Sequence, residues 1–264
     1  MQPFHCRSAH LSLWGRAERG ARGSRGRPMP ARPGGSGTLH FMIEDHWLPR
    51  PPLSLDPARL ATFEAAYAQV LAAAGGPVDP PAPTWAFLCW LADEKRVLLH
   101  GTADPGITRF EPRTPREYSD DAFSKQTAVF AAGDGIWALF YAIVHRQPEM
   151  RFLNGALQFV DPAGELSDMH YFFSVTKSLL PARPWRDGSV YILPRDGFTQ
   201  QEAYELAGRK VLEPQWAAPD AVKPLARLRV TPQDFPLLAS VRGHDPLEVD
   251  RRAASDPDGF PWLY

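Results

Sequence analysis

After residue 95 the chain is a succession of short apolar runs broken by turns rich in Pro, Gly and Asp. That rhythm limits the fold more than any other feature. Strands are expected at 96–100, 127–132, 151–160, 170–175, 188–194 and 225–231, where apolar residues lie between turn formers. Residues 134–145 carry Ile136, Trp137, Phe140, Ile143 and Val144 at helical spacing, and 199–207 is a further expected helix. Strands outnumber helices without a regular strand–helix–strand succession, so the pattern predicts an α+β domain with a mainly antiparallel sheet.

Upstream of this core, residues 42–95 form a small helical N-terminal element. Asp56 and Pro57 open a helix over 56–74, with Leu60, Phe63, Tyr67, Val70 and Leu71 on its apolar face and Gly75-Gly76-Pro77 at its end. A Pro-rich link over 77–83 leads into a second helix at 84–92. The core then occupies 96–264. Residues 1–41 are rich in Arg, Gly, Ser and Pro, a composition that cannot bury enough apolar area to order itself. This segment reads as a basic nucleic-acid tail, a targeting peptide, or sequence lying ahead of a true start at Met42; we favour the last.

The first 40 residues hold seven arginines against one acid, Glu18, while the whole chain carries a net charge of −1. The remainder is therefore acidic, which disfavours nucleic acid as a partner. No apolar run approaches the roughly 18 residues a spanning helix needs, so no membrane segment is expected. Cys6 and Cys89 build neither a disulfide framework nor a metal site, and Cys89 lies in the apolar run Trp85–Leu91 as a small buried hydrophobe. A reducing cytoplasm is the expected location.

The phosphate loop, the dinucleotide glycine fingerprint, the paired-histidine zinc motif and the nucleophile elbow are all absent, and the histidines are scattered, so no metal is expected. What remains is His100-Gly101-Thr102 at the end of an apolar run. A neutral imidazole can exchange a hydrogen bond with a ribose hydroxyl, and a bare peptide unit admits a close ligand amide. The plainer reading is a His-Gly turn whose ring caps a loop.

Leu98-Leu99-His100-Gly101-Thr102, then Ile107–Arg113, then Ala128-Val129-Phe130-Ala131-Ala132, resembles the first half of the ADP-ribosyltransferase-like fold. The likeness covers 96–145 and thins towards 240. It implies a split, mainly antiparallel sheet that binds NAD⁺ as substrate, without metal, and transfers ADP-ribose to an unidentified acceptor. On that resemblance His100 holds a ribose hydroxyl, Gly101 meets the nicotinamide carboxamide, and Thr102 completes the motif. Phe130 stands where the family often has a tyrosine that stacks on nicotinamide, and Tyr141 supplies a second aromatic face. Arg113 contacts a phosphate, or else pairs with Glu111. A carboxylate is needed beside the cation-like ribose; Glu165, Glu202 and Glu213 are candidates, and Glu213 is preferred because it precedes Val222-Lys223-Pro224 and an apolar strand. The rival readings are a non-catalytic nucleotide-binding module on the same scaffold, and an interaction protein whose His-Gly turn is only structural.

Overall fold

Asp56 accepts a hydrogen bond from the Arg59 amide at 2.8 Å and opens helix α1 (Pro57–Ala72), with Pro57 in the first turn. Ala74 and Gly75 then take left-handed φ values of 49° and 90° and turn the chain away. A computed structural model describes residues 46–115, 122–206, 208–255 and 262 of the chain. The expected disordered segment at 1–41 lies outside them.

Four more helices follow: α2 (Thr84–Glu94), a single turn α3 (Ala122–Lys125), α4 (Gly135–Ile143) and α5 (Pro246–Ser255). The strands are β1 (Leu48–Pro49), β2 (Pro77–Val78), β3 (Leu98–Thr102), β4 (Val129–Ala132), β5 (Phe152–Phe159), β6 (His170–Thr176), β7 (Gly188–Leu193), β8 (Thr199–Gln200), β9 (Tyr204–Leu206), β10 (Arg209–Leu212), β11 (Gln215–Ala218), β12 (Ala226–Val230) and β13 (Arg242–His244). Among the described residues they form two sheets. One runs β2-β12-β7-β3-β4-β11-β8; the other runs β1-β6-β5-β10-β9, with β13 beside β6. All neighbours are antiparallel except β2 with β12 and β13 with β6. The chain is thus α+β with mostly antiparallel sheets. Residues 46–95 supply α1 and α2 and also one strand to each sheet.

The 199–207 helix is a correction. Gln200 and Thr199 pair with Trp216 and Ala217, and Tyr204–Leu206 pairs with β10 across a turn where Gly208 has a φ of 79°. Two sheet edges outweigh the local helical preference of this segment.

Helix α4 is the pivot of the molecule. Every one of its residues is buried except Tyr141, which is half-buried. A helix apolar all round must be enclosed, and α4 lies between the sheets. Phe140 packs on Phe152 and Phe173 of the second sheet, with ring centroids 5.8 and 4.6 Å away. On its other side the glycines of the first sheet let the backbones approach closely. A Cβ on Gly101 would fall 1.8 Å from the Ala138 carbonyl oxygen, and one on Gly188 would fall 2.1 Å from that of Ala142.

The N-terminus of α4 is tied down by Asp134, which is fully buried. One carboxylate oxygen accepts from the Trp137 amide at 2.7 Å. The other accepts from Arg50 at 2.7 Å and from the Tyr171 hydroxyl at 2.8 Å. Arg50 also reaches Asp93 at the end of α2, at 2.6 Å. Burial opposes the Arg50 charge, but Asp134 and its neighbours outweigh this and hold the guanidinium above its ordinary value. Burial, then Asp134, pushes the Cys89 thiol up, so it stays protonated.

In the second sheet the buried His244 Nδ1 lies 2.7 Å from Ser174 Oγ. Desolvation, helped by Arg151 and opposed by Asp245, pushes the His244 imidazole down to about 4. The unfolded chain therefore binds this proton first, near the ordinary histidine value of about 6.5. Stability is fully present above that pH and falls as the pH drops from about 6.5 towards 4, by about 3 kcal/mol across the window. Urea midpoints at pH 7 and pH 4.5 are expected to differ by most of this in the native sequence and by much less in His244→Gln. Equal pH dependence in both proteins would contradict the assignment.

Candidate functional site

β3 and β4 share a single rung, Leu99 opposite Ala132. Beyond it the strands separate, and a cavity of about 520 Å³ opens in the gap. That volume suits a small-molecule ligand. Neighbouring strands are paired more fully: β3 with β7 over five residues, and β4 with β11 over four.

The direction of the main chain at the gap follows from β7. The Ile192 carbonyl accepts from Leu225 at 2.7 Å, so it points away from β3. In an antiparallel ladder its partner Leu99 then points its own N–H and C=O towards β4, and Gly101, two residues on, does the same. With no β4 residue paired to it, Gly101 turns its peptide edge to the cavity. The missing Cβ serves a different purpose, since it faces α4 and leaves room for the Ala138 carbonyl. This corrects the expectation that the glycine is bare for the ligand. Its side is bare for the helix, while its main-chain edge faces the gap.

His100 Nδ1 lies 2.8 Å from the Phe130 carbonyl oxygen, across the gap. A carbonyl only accepts, so Nδ1 carries the hydrogen. Desolvation, together with the charges of Arg146 and Arg113 and against the pull of the Phe130 carbonyl, holds the ring below its ordinary value. The imidazole is therefore neutral at neutral pH, and Nε2 is an acceptor. Phe110 packs on the same ring at 4.7 Å. Strand alternation sends His100 and Phe130 to opposite faces, because Val129 and Ala131 join the outer cluster with Leu98 while Ala132 joins the inner core with Leu99. Both still line the cavity, which passes through the sheet where the strands part.

The loop after β3 forms the outer wall. The Tyr191 hydroxyl donates to the Asp104 carbonyl at 3.0 Å and accepts from the Ile107 amide at 2.9 Å. Phe110 bridges to Val222 and Arg113 to Ala128. Thr102 lines the cavity, but its hydroxyl accepts from the Asp104 amide at 3.2 Å. Asp104 in turn accepts from the Gly106 amide at 2.7 Å. Arg109, Arg113 and Arg146 also line the cavity. Glu111 pairs with Arg109 at 2.9 Å, not with Arg113. Among the described residues Arg113 and Arg146 have no carboxylate partner, which leaves both guanidinium groups for an anion. Tyr141 lines the inner side, donates to Asn154 at 2.9 Å and lies under the Arg146 guanidinium at 5.6 Å.

The structure gathers His100, Gly101, Thr102, Phe130, Tyr141 and Arg113 around one cavity. It does not bring Glu213 there. That carboxylate is buried against the Tyr204 hydroxyl at 2.6 Å, and the lining residue is Gln215, two positions on. Glu165 and Glu202 are exposed and also lie outside it. Sequence reasoning missed Gln215, Phe110 and Arg146. For Gln215 a signal existed: it is the one polar residue at the head of the apolar run Trp216-Ala217-Ala218. Among the described residues no cluster of three or more His, Cys, Asp or Glu could hold a metal ion, and no helix is long and apolar enough to cross a membrane. Comparison with known proteins gives no matching family model, no matching curated protein and no matching solved structure.

Proposed function

We propose that the gap between β3 and β4 binds NAD⁺ or a related nucleotide, on an ADP-ribosyltransferase-like split sheet. The observation that carries this reading is the divergence of the two strands after Leu99 and Ala132, which leaves the Gly101 peptide edge and a neutral His100 on one cavity. Arg113 and Arg146 supply positive charge for phosphates, and Phe130 and Tyr141 supply aromatic surface. Transfer of ADP-ribose to an acceptor would break the nicotinamide glycosidic bond, release nicotinamide and join the ribose carbon to an acceptor nucleophile. Its cation-like transition state calls for a nearby carboxylate. The cavity has Asp104 and Glu111, the first engaged with a backbone amide and the second with Arg109.

A second reading, a binding module on the same scaffold without turnover, is favoured by the amide of Gln215 at the inner wall. The expected setting is a reducing cytoplasm, and the acceptor is open. Titration calorimetry with NAD⁺ and ADP-ribose, beside nicotinamide release from labelled NAD⁺, separates the readings. His100→Ala is expected to weaken binding by up to about tenfold through loss of one hydrogen bond. Release by the native protein that His100→Ala abolishes supports transfer; binding without release supports the second reading. Absence of binding to either nucleotide would refute both.

A further inference from the structure

Gln215 is 5% exposed, and its Oε1 has no hydrogen-bond partner among the described residues. Its Nε2 donates to Ser124 Oγ of α3 at 3.0 Å. Turning the amide over does not cure this. Oε1 would then accept from the serine hydroxyl, and the two N–H groups would be stranded instead. Buried polar atoms are paired in nearly all cases, and an exception inside a cavity wall points to a partner that the protein does not supply.

Position reinforces chemistry. Gln215 is directly opposite Ala132 in the β4–β11 ladder, and Ala132 carries the last rung between β3 and β4. Directly opposed residues share a face, so the glutamine stands beside the point where the gap opens. The other polar groups of the wall are mostly engaged, Thr102 and Asp104 with backbone amides and Glu111 with Arg109. Beside the Gly101 peptide edge, two neutral side-chain acceptors remain without a protein partner among the described residues: His100 Nε2 and Gln215 Oε1. Acceptors call for donors: an ionised phosphate has none, whereas a sugar presents several hydroxyl hydrogens on one ring.

We propose that Gln215 is the specificity residue of this cavity, a neutral amide half-tethered by Ser124 that receives a hydroxyl hydrogen from the ribosyl part of the ligand. The proposal rests on the nucleotide reading above and narrows it to ligands with a second ribose at the inner wall, beyond the diphosphate, which NAD⁺ and ADP-ribose carry and ADP lacks.

The test compares binding of NAD⁺, ADP-ribose and ADP to the native protein, Gln215→Met and Ser124→Ala, with a thermal midpoint for each unliganded protein. Methionine keeps the volume and removes the stranded atom. The expected result is an unliganded midpoint that holds or rises, with affinity for NAD⁺ and ADP-ribose lowered about tenfold, the worth of one hydrogen bond, and ADP nearly unaffected. Ser124→Ala, which loosens the amide and leaves the strand intact, is expected to weaken the same two ligands several-fold; it carries the test if the methionine variant fails to fold. A fall in midpoint with unchanged affinities identifies a structural role and overturns the proposal. Equal losses for all three ligands overturn it as well. If the native protein binds NAD⁺ and ADP-ribose and the variants match it, the specificity assignment alone falls. If the native protein binds none of the three, the nucleotide reading falls first and takes this one with it.

Discussion

Gly101→Ala is expected to lower stability by at least about 3 kcal/mol, at the upper end of the usual cost of overpacking. The new methyl carbon would sit 1.8 Å from the Ala138 carbonyl oxygen and 2.8 Å from the Ala142 amide nitrogen. Both are main-chain atoms of a helix, so no rotamer change relieves the clash; either β3 or α4 must move bodily. α4 cannot retreat, because Phe140 already packs on Phe152, Phe173 and Phe235 behind it. A loss of that size is a large part of the stability of an ordinary domain. Urea unfolding followed by circular dichroism measures it, and a variant whose midpoint stays within experimental error of the native one would show that the helix is not seated as described. The same clash makes Gly101→Ala unsuitable as a probe of ligand binding, since the fold fails before the site does.

Asp134→Ala ranks second, with an expected loss of about 3–5 kcal/mol, the usual cost of removing one partner from a buried ion pair. Asp134 is wholly buried and serves three donors: the Trp137 amide, Arg50 and the Tyr171 hydroxyl. Without it Arg50, only 16% exposed, keeps Asp93 but loses its buried partner. The helix also loses its N-cap, ordinarily worth about 1 kcal/mol. Asp134→Asn retains a good cap and an oxygen acceptor while removing the charge, so its smaller loss measures the share that the ion pair contributes. Denaturant titration of the two variants decides the matter: an Asp134→Asn midpoint equal to the native one would mean that the charge contributes nothing.

Much of the framework was legible because its signals are local. Asp56-Pro57 marked the start of α1, and the apolar runs before His100 and around Phe130 marked β3 and β4. The same Asp-Pro signal stands at Asp245-Pro246, where Asp245 accepts from the Leu247 and Glu248 amides, yet α5 went unread because its face is so polar. Residues 199–207 misled for the opposite reason. Their helical preference is overridden by β8–β11, whose second strand lies beyond the next hairpin, and by the β9–β10 hairpin, whose turn at Gly208 was not read as one. The site followed the same division. His100, Gly101, Thr102 and Phe130, singled out from short motifs, all line the cavity, but the reason for the missing side chain of Gly101 lies in α4, which no motif shows. Glu213, preferred over Glu165 and Glu202, is buried against Tyr204, and the residue of that segment on the cavity is Gln215. Pro214 intervenes, and only the register of β11 against β4 shows which side chain reaches the gap.

The single rung between Leu99 and Ala132 divides a seven-stranded sheet into ribbons of four and three strands. Two ribbons joined by one rung and the His100–Phe130 hydrogen bond can change their mutual angle more readily than fully paired strands can. On the nucleotide proposal, a molecule lodged between them would stand in for the absent rungs and fix a curvature that the polypeptide leaves soft. Since α4 lies against both ribbons and against the second sheet, a change of angle at the seam would be carried through α4 to Phe152 and Phe173.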